Sequence, residues 1–182
     1  MERCRLVFSG SGGQGVITAA IMLAEAAVLH EKLIATQTQA YGPEARGGAT
    51  RSDVIISDSD IYFPKVTQPN ILVCLTQEAY MKFYDIVRPG GLLLTDSRHV
   101  TVLDAVDSKQ VQLPMYETVM EELGSAVALS TCMLGALLGL RDIINPESVK
   151  KIIKDRIPPA YYEMNVKALE LGLRLALGTG KA

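Results

Sequence analysis

The sequence predicts an α/β fold: a three-layer, Rossmann-like, mostly parallel sheet flanked by helices. Two observations carry this expectation. Continuous apolar runs of strand length, such as Leu6-Val7-Phe8, Ile71–Leu75 and Leu92–Leu94, alternate with helical segments. That alternation is the pattern of βαβ units, whose strands are buried on both faces. In addition, a glycine turn, Gly10-Ser11-Gly12-Gly13-Gln14-Gly15-Val16, joins the first run to the first helical segment. Such a turn leaves the carboxyl end of a strand, where open α/β sheets bind ligands.

Taken in order, Cys4–Ser9 reads as the first strand and Val16–Glu31 as an Ala-rich helix able to lie close on a sheet. Leu33–Thr38 and Ala49–Ser57 read as strands separated by a glycine-rich loop. Ile61–Phe63 is expected as a short edge strand stopped by Pro64. Thr76 can cap a helix that runs to about Tyr84, and the flanking strands Ile71–Leu75 and Leu92–Asp96 complete a βαβ unit. One more strand is expected near Val111–Leu113. Met115–Leu123 reads as helical, and Ala126–Leu140 as a helix apolar nearly all round. Asn145-Pro146 starts a helix to about Asp155, and Pro158-Pro159 opens the last one, to about Ala176. The expected organisation is one domain over residues 1–177 with a flexible tail over 178–182.

Composition narrows the function classes. The chain has 182 residues, 48% hydrophobic and 21% charged, with a net charge of −2. No global basic field and no aromatic–basic cluster points to nucleic acid. The longest apolar segment is short of the roughly 20 residues that a membrane span needs. The N-terminus does not read as a signal peptide, so a cytoplasmic protein is expected. Cys4, Cys74 and Cys132 are far apart inside apolar runs, where a thiol behaves as a small hydrophobe. A disulfide, zinc or iron–sulfur site built by this chain alone is not expected. His30 and His99 are expected in surface roles without partners.

Gly10, Gly12 and Gly15 satisfy the dinucleotide fingerprint G-x-G-x-x-G. That fingerprint also requires an acid at the end of the second strand to take the ribose hydroxyls. Here that place holds Thr36-Gln37-Thr38-Gln39, and no carboxylate follows before Glu44. The loop Gln39–Gly48 reads either as a solvated connection or as a second site loop. In the second case Arg46 can grip a phosphate or carboxylate, and Gly47 and Gly48 allow close approach. Asn165, inside the apolar stripe of the last helix, is either exposed or in a specific contact. Gly135 and Gly139 share one helix face and permit another helix to come close, within the chain or in a partner. No nucleophile–base pair, P-loop lysine, paired catalytic carboxylates or metal cluster is visible. The residues describe a ligand-holding or docking piece of something larger.

The glycine turn, the second motif Tyr41-Gly42-Pro43-Glu44-Ala45-Arg46-Gly47-Gly48 and the Asn165…Ala168…Gly172 spacing resemble the gamma subunit of 2-oxoacid:ferredoxin oxidoreductases over nearly the whole chain. The two glycine motifs in that order, about thirty residues apart, are more specific than either alone. The second motif is most similar to that of the 2-oxoglutarate branch. The pyruvate, branched-chain oxoacid and indolepyruvate branches share enough of it to leave the substrate open.

The resemblance implies an enzyme subunit that is inactive alone. The complex would carry out oxidative decarboxylation of a 2-oxoacid to acyl-CoA, dependent on thiamine diphosphate and coenzyme A, with ferredoxin reduced. Thiamine diphosphate, Mg and iron–sulfur clusters would lie in the partner subunits: alpha, beta and a ferredoxin-like delta. A homodimer is the alternative assembly for the isolated chain. The resemblance places coenzyme A on this subunit. The residues expected to bind it are Gly10, Ser11, Gly12, Gly13, Gln14, Gly15 and Val16, then Tyr41, Glu44, Arg46, Gly47, Gly48 and Asn165. The N–H groups of Ser11–Val16 would cradle the diphosphate and Gln14 would make a polar contact. Arg46 would add charge or anchor its loop on the alpha subunit. No catalytic residue and no metal ligand is expected. Two alternatives stand beside this reading: an NAD- or FAD-dependent oxidoreductase acting alone, and a purely structural subunit.

Overall fold

A computed structural model of the chain describes residues 3–39, 48–104 and 106–179. In chain order the elements are β1 (Cys4–Gly10), α1 (Val16–Glu31), β2 (Ile34–Gln39), β3 (Thr50–Ser57), β4 (Ile71–Cys74), α2 (Gln77–Phe83), β5 (Leu92–Asp96), β6 (Lys109–Leu113), α3 (Met115–Leu123), α4 (Leu129–Leu140), α5 (Pro146–Arg156) and α6 (Pro159–Leu177). The strands form one sheet in the order β2-β3-β1-β4-β5-β6. β1, β4, β5 and β6 pair in parallel, while β3 is antiparallel to both of its neighbours, β1 and β2. Five strands therefore point one way and β3 alone runs back, giving the mostly parallel sheet that the sequence predicts.

Strand alternation divides the core between the two faces of the sheet. Leu6 and Phe8 of β1 join the larger cluster, with α1, α4, α5 and α6. Val7 points the other way, into a smaller cluster with Tyr80 and Phe83 of α2. On the large side, Arg156 of α5 forms a two-pronged ion pair with Glu25 of α1, both contacts at 2.6 Å.

Helix α4 is buried all round except at Gly139. It packs on α6 with almost nothing between the two backbones. A Cβ at Gly135 would overlap the Leu169 carbonyl oxygen, and one at Gly172 would overlap that of Cys132. The glycine face of α4 is thus spent inside the chain, not on a partner. Asn165 makes a specific contact in the same seam. It is buried, its Oδ1 accepts from Thr131 Oγ1 at 2.6 Å, and its Nδ2 donates to the Tyr161 carbonyl at 2.9 Å. A buried amide whose acceptor and donor are both used can replace a hydrophobe in a helix seam at little cost.

Several expectations need correction. Residues 61–63 form no strand, and Tyr62 and Phe63 stand exposed. β2 takes the place beside β3, and this run pairs with neither edge strand of the sheet, β2 or β6. Instead Arg3 holds the Asp60 carbonyl at 2.7 Å. The helix expected over 126–140 is two pieces. Ser125 accepts from the Val127 N–H and starts a 3-10 turn over Ala126–Ala128, after which α4 begins. The last strand is longer than expected and starts at Lys109. Among the described residues, no helix is long and apolar enough to cross a membrane.

Two outcomes follow from this packing. Gly172→Ala should cost about 2 kcal/mol or more, as overpacking of a tight seam does. An unchanged urea midpoint would show that the α4–α6 seam gives way freely. The Arg156 guanidinium also holds the Glu25 carboxyl below its ordinary value of 4.5. A depressed native pKa stabilises the fold above the unfolded value, and that contribution is lost as pH falls through the native value. The stability gap between the native chain and Arg156→Gln should therefore be present above pH 4.5 and close on further acidification. A gap independent of pH would refute the pairing.

Candidate functional site

The site starts where β1 runs out. Ser9 Oγ donates to the Thr50 carbonyl at 2.7 Å, and Thr50 Oγ1 donates back to the Gly10 carbonyl at 2.9 Å. These bonds fasten the ends of β1 and β3 together just before the glycine turn. Gly13 and Gly15 then take positive φ, at 88° and 75°, conformations that glycine adopts without steric cost. Gly15 has a second constraint: a Cβ there would sit 2.6 Å from Ser130 Oγ, close to the N-terminus of α4. Gly10 is pressed by Gln14 and Val16. Gly12 differs from all three. It has no positive φ, and a Cβ there would meet no described residue within 4 Å.

Gln14 braces the turn from within. Its Oε1 accepts from the Ser11 N–H at 2.8 Å, while its own N–H donates to the Ser11 carbonyl at 3.3 Å. The Ser11 N–H and the Gln14 side-chain oxygen are thus engaged with each other inside the turn. The open donors lie further on. The first α1 bond runs from Ala19 N to the Gly15 carbonyl at 2.9 Å, Gly15 caps the helix without a side chain, and the first turn holds no acid. The N–H groups of Val16, Ile17 and Thr18 precede that first bond, so they have no partner within the helix. They line a cleft of about 300 Å³ together with Ser11, Gly12, Gly13 and Thr50. Uncapped helix N–H groups and the positive end of the helix dipole favour an anion there.

Of the second motif, Gly48 lies half-buried just ahead of β3. Tyr41, Glu44, Arg46 and Gly47 lie outside the described residues. Asn165 is not brought to the cleft, because its amide is spent between α4 and α6. It acts on the site only at one remove: its partner Thr131 follows Ser130, the residue packed against Gly15.

The missing ribose acid has a structural reason. In a dinucleotide unit the second strand lies beside the first. Here β3 lies between them, which puts β2 two strand spacings, about 10 Å, from β1. Within β2 the Gln37 amide donates to Ser52 Oγ of β3 at 2.7 Å.

The same sheet edge carries a side-chain group that sequence reading overlooked. Asp96, at the end of β5, is wholly buried. It accepts from Arg98 N at 3.0 Å, His99 Nδ1 at 3.1 Å and Tyr116 N at 2.7 Å. His99 therefore has a partner three residues back and stacks edge-on against Tyr116. A carboxylate can only accept, so Asp96 fixes the proton of His99 on Nδ1 and caps α3, whose N-cap, Pro114, offers no side chain. The Asp-x-x-His spacing directly after an apolar strand is the signal that would have found it.

Burial pushes the Cys132 thiol up to about 12, with the Asp96 charge adding to the effect, and burial raises Cys74 further. Both stay protonated and poorly nucleophilic. A disulfide reagent should titrate at most the half-buried Cys4 in the native chain and all three thiols after unfolding. Rapid native reaction of two or three thiols would show that the core opens at this edge. Among the described residues, no group of three or more His, Cys, Asp and Glu could hold a metal ion.

Comparison with known proteins agrees with this geometry. Residues 5–175 match the family described as pyruvate ferredoxin/flavodoxin oxidoreductase. The chain is 43% identical to the 2-oxoglutarate synthase subunit KorC of Methanocaldococcus jannaschii, over 96% of this chain and 94% of that one. It is similar to the solved gamma subunit of a keto/oxoacid ferredoxin oxidoreductase from Geobacter sulfurreducens, with a TM-score of 0.90, 37% identity and 98% of each chain covered. The fold recurs in a 2-oxoglutarate:ferredoxin oxidoreductase from Magnetococcus marinus, with a TM-score of 0.89 at 22% identity, covering all of this chain and 32% of that one. A mostly parallel sheet with one reversed strand, a glycine turn opening on an uncapped helix and these matches along almost its whole length place the chain in the pyruvate ferredoxin/flavodoxin oxidoreductase family.

Proposed function

We propose that this chain is the coenzyme A-holding gamma subunit of a 2-oxoacid:ferredoxin oxidoreductase, with 2-oxoglutarate as the first substrate to test. The observation that carries the coenzyme A reading is Gly12. Packing explains Gly10 and Gly15, and backbone conformation explains Gly13, but nothing among the described residues requires glycine at position 12. A close-lying ligand accounts for it. A diphosphate suits the cleft, because the uncapped N–H groups of Val16–Thr18 favour a compact anion and the turn supplies no side-chain charge to compete. The substrate reading draws on the KorC relative, named as a 2-oxoglutarate synthase subunit. The Magnetococcus protein was solved with 2-oxoglutarate, coenzyme A and succinyl-CoA bound, and this chain corresponds to about a third of it.

In this proposal the carbanion and electron-transfer chemistry comes from thiamine diphosphate with Mg and from iron–sulfur clusters in alpha, beta and delta subunits, with ferredoxin as acceptor. This chain binds and orients. Gly12 and Gly13 leave room for the diphosphate, α1 neutralises part of its charge, and the Ser11–Gln14 brace keeps the turn from collapsing into the cleft. Arg46, Tyr41, Glu44, Gly47 and Gly48 belong to the proposal as a second loop on the ligand or on the alpha subunit.

A second reading, the glycine turn as a purely structural joint, draws on the Ser130–Gly15 contact and the internal Gln14 brace. One pair of variants separates the two. Gly12→Asp places a carboxylate at the anion site and should raise the coenzyme A KM of the assembled complex about tenfold or more, with assembly intact. Gly15→Ala should instead impair folding. If Gly12→Asp disrupts assembly, or leaves the KM unchanged, the turn is structural and the coenzyme A assignment fails.

A further inference from the structure

Capping α3 explains Asp96 but not His99. The cap is the bond from Tyr116 N, and the bond from Arg98 N fixes the turn after β5. Both end on the Asp96 carboxylate and neither involves the imidazole. His99 adds a third donor, Nδ1 at 3.1 Å, to a carboxylate that is wholly buried. An asparagine could supply such an N–H equally well. What an imidazole adds is a second nitrogen. With the proton fixed on Nδ1, Nε2 of the neutral ring carries a lone pair. None of the hydrogen bonds among the described residues uses that nitrogen, and the His99 side chain is 35% exposed. The ring is also held in place, since it meets Tyr116 edge-on with centroids 4.7 Å apart. A half-exposed imidazole oriented by a buried carboxylate is an arrangement that ligand sites use.

This nitrogen stands at the edge where the glycine turn opens. β1, β4 and β5 pair in parallel, so Gly10 and Asp96 end at the same edge of the sheet, two strand spacings, about 10 Å, apart. The first turn of α4 lies between them. Ser130 packs against Gly15, and Cys132 is near enough to Asp96 for that charge to help raise its thiol. Two residues advance a helix by only about 3 Å, so the anion cleft and the Asp96–His99 pair flank one helical turn. The pair brings little net charge to the surface beside it, because Arg98 faces Glu117 at 3.7 Å.

We propose that His99 Nε2 accepts a hydrogen bond from the pantetheine arm of the coenzyme whose diphosphate lies at the glycine turn. This inference rests on the coenzyme A reading. A nitrogen lone pair repels an anion and accepts from a donor, and the arm carries amide N–H groups and a hydroxyl. The extended arm is long enough to cross two strand spacings. The N–H groups of Val16–Thr18 match phosphate oxygens, and His99 supplies an acceptor for the uncharged half of the same molecule. Together they fix the direction of the ligand along the edge, from β1 across β4 to β5.

The test is an equilibrium titration of the assembled complex with coenzyme A and with 3′-phosphoadenosine 5′-diphosphate, the same nucleotide without the arm. His99→Phe keeps a ring against Tyr116 and removes both nitrogens. His99→Asn keeps an N–H for Asp96 and removes Nε2, and it serves if thermal unfolding shows His99→Phe to be misfolded. Each should weaken coenzyme A binding about fivefold, the effect of one neutral hydrogen bond, and leave the nucleotide within about twofold of its native affinity. Gly12→Asp should weaken both ligands, because it acts at the diphosphate. Unchanged coenzyme A affinity in a folded His99 variant, or an equal loss for both ligands, would overturn the role of His99 and leave the glycine-turn site standing. A native complex that binds neither ligand would overturn the coenzyme A reading and this inference with it.

Discussion

Helices α4 and α6 touch backbone to backbone, and much of the molecule follows from that contact. Gly135 and Gly172 each lie where a methyl group would overlap a carbonyl of the opposite helix. The glycines cost both helices propensity, about 1 kcal/mol each relative to Ala. In return α4 sinks far enough for almost its whole circumference to be buried. The depth of α4 then sets the height of Ser130, and Ser130 leaves no room for a side chain at Gly15. A helix seam in the core thus decides the shape of a turn at the sheet edge. Asn165 and Thr131 keep the register of that seam with one short hydrogen bond, a directional contact that dispersion between glycines and alanines cannot supply.

The sheet edge divides its tasks among groups of different kinds. The glycine turn and α1 provide backbone donors without net charge. Two strands away, Asp96 provides a fixed charge, yet it is spent on hydrogen bonds to Arg98, His99 and Tyr116. It serves as a cap for α3 and a clamp for an imidazole. The thiols nearby are buried and protonated. Neither buried thiol at this edge can act as a strong nucleophile, which is compatible with the coenzyme-holding role proposed above.

Much of the fold was legible in the sequence because the buried strands are apolar on both faces. Leu6–Phe8, Ile71–Leu75 and Leu92–Leu94 announce themselves, and Thr76, Asn145 and Pro146 mark helix starts by local chemistry that needs no tertiary context. What stayed hidden depends on pairing partners. Nothing in Thr50–Ser57 states that it will run against β1, since an apolar run looks the same in either direction. Residues 61–63 carry the β-propensity of an edge strand but do not pair with the sheet, and pairing outweighs propensity. At the site, the glycine spacing located the turn, but only coordinates distinguish Gly12 from its neighbours. The Gln14 brace is equally invisible, because a glutamine in a loop reads the same whether it reaches outward or folds back. His99 and Asp96 were legible in principle, three residues apart after a strand, and were passed over because each residue type alone is unremarkable.

The reversed strand β3 carries a consequence for redesign. With β3 wedged between β1 and β2, the glycine turn and the tip of β2 cannot grip the two ends of one adenosine diphosphate as they do in nicotinamide enzymes. The obstacle to a nicotinamide-type grip therefore lies in strand order, not in one exchangeable side chain. Grafting an aspartate onto the end of β2 would decorate the wrong strand. Converting the cleft to dinucleotide use would require rewiring the path of the chain, a change that stepwise substitution does not reach.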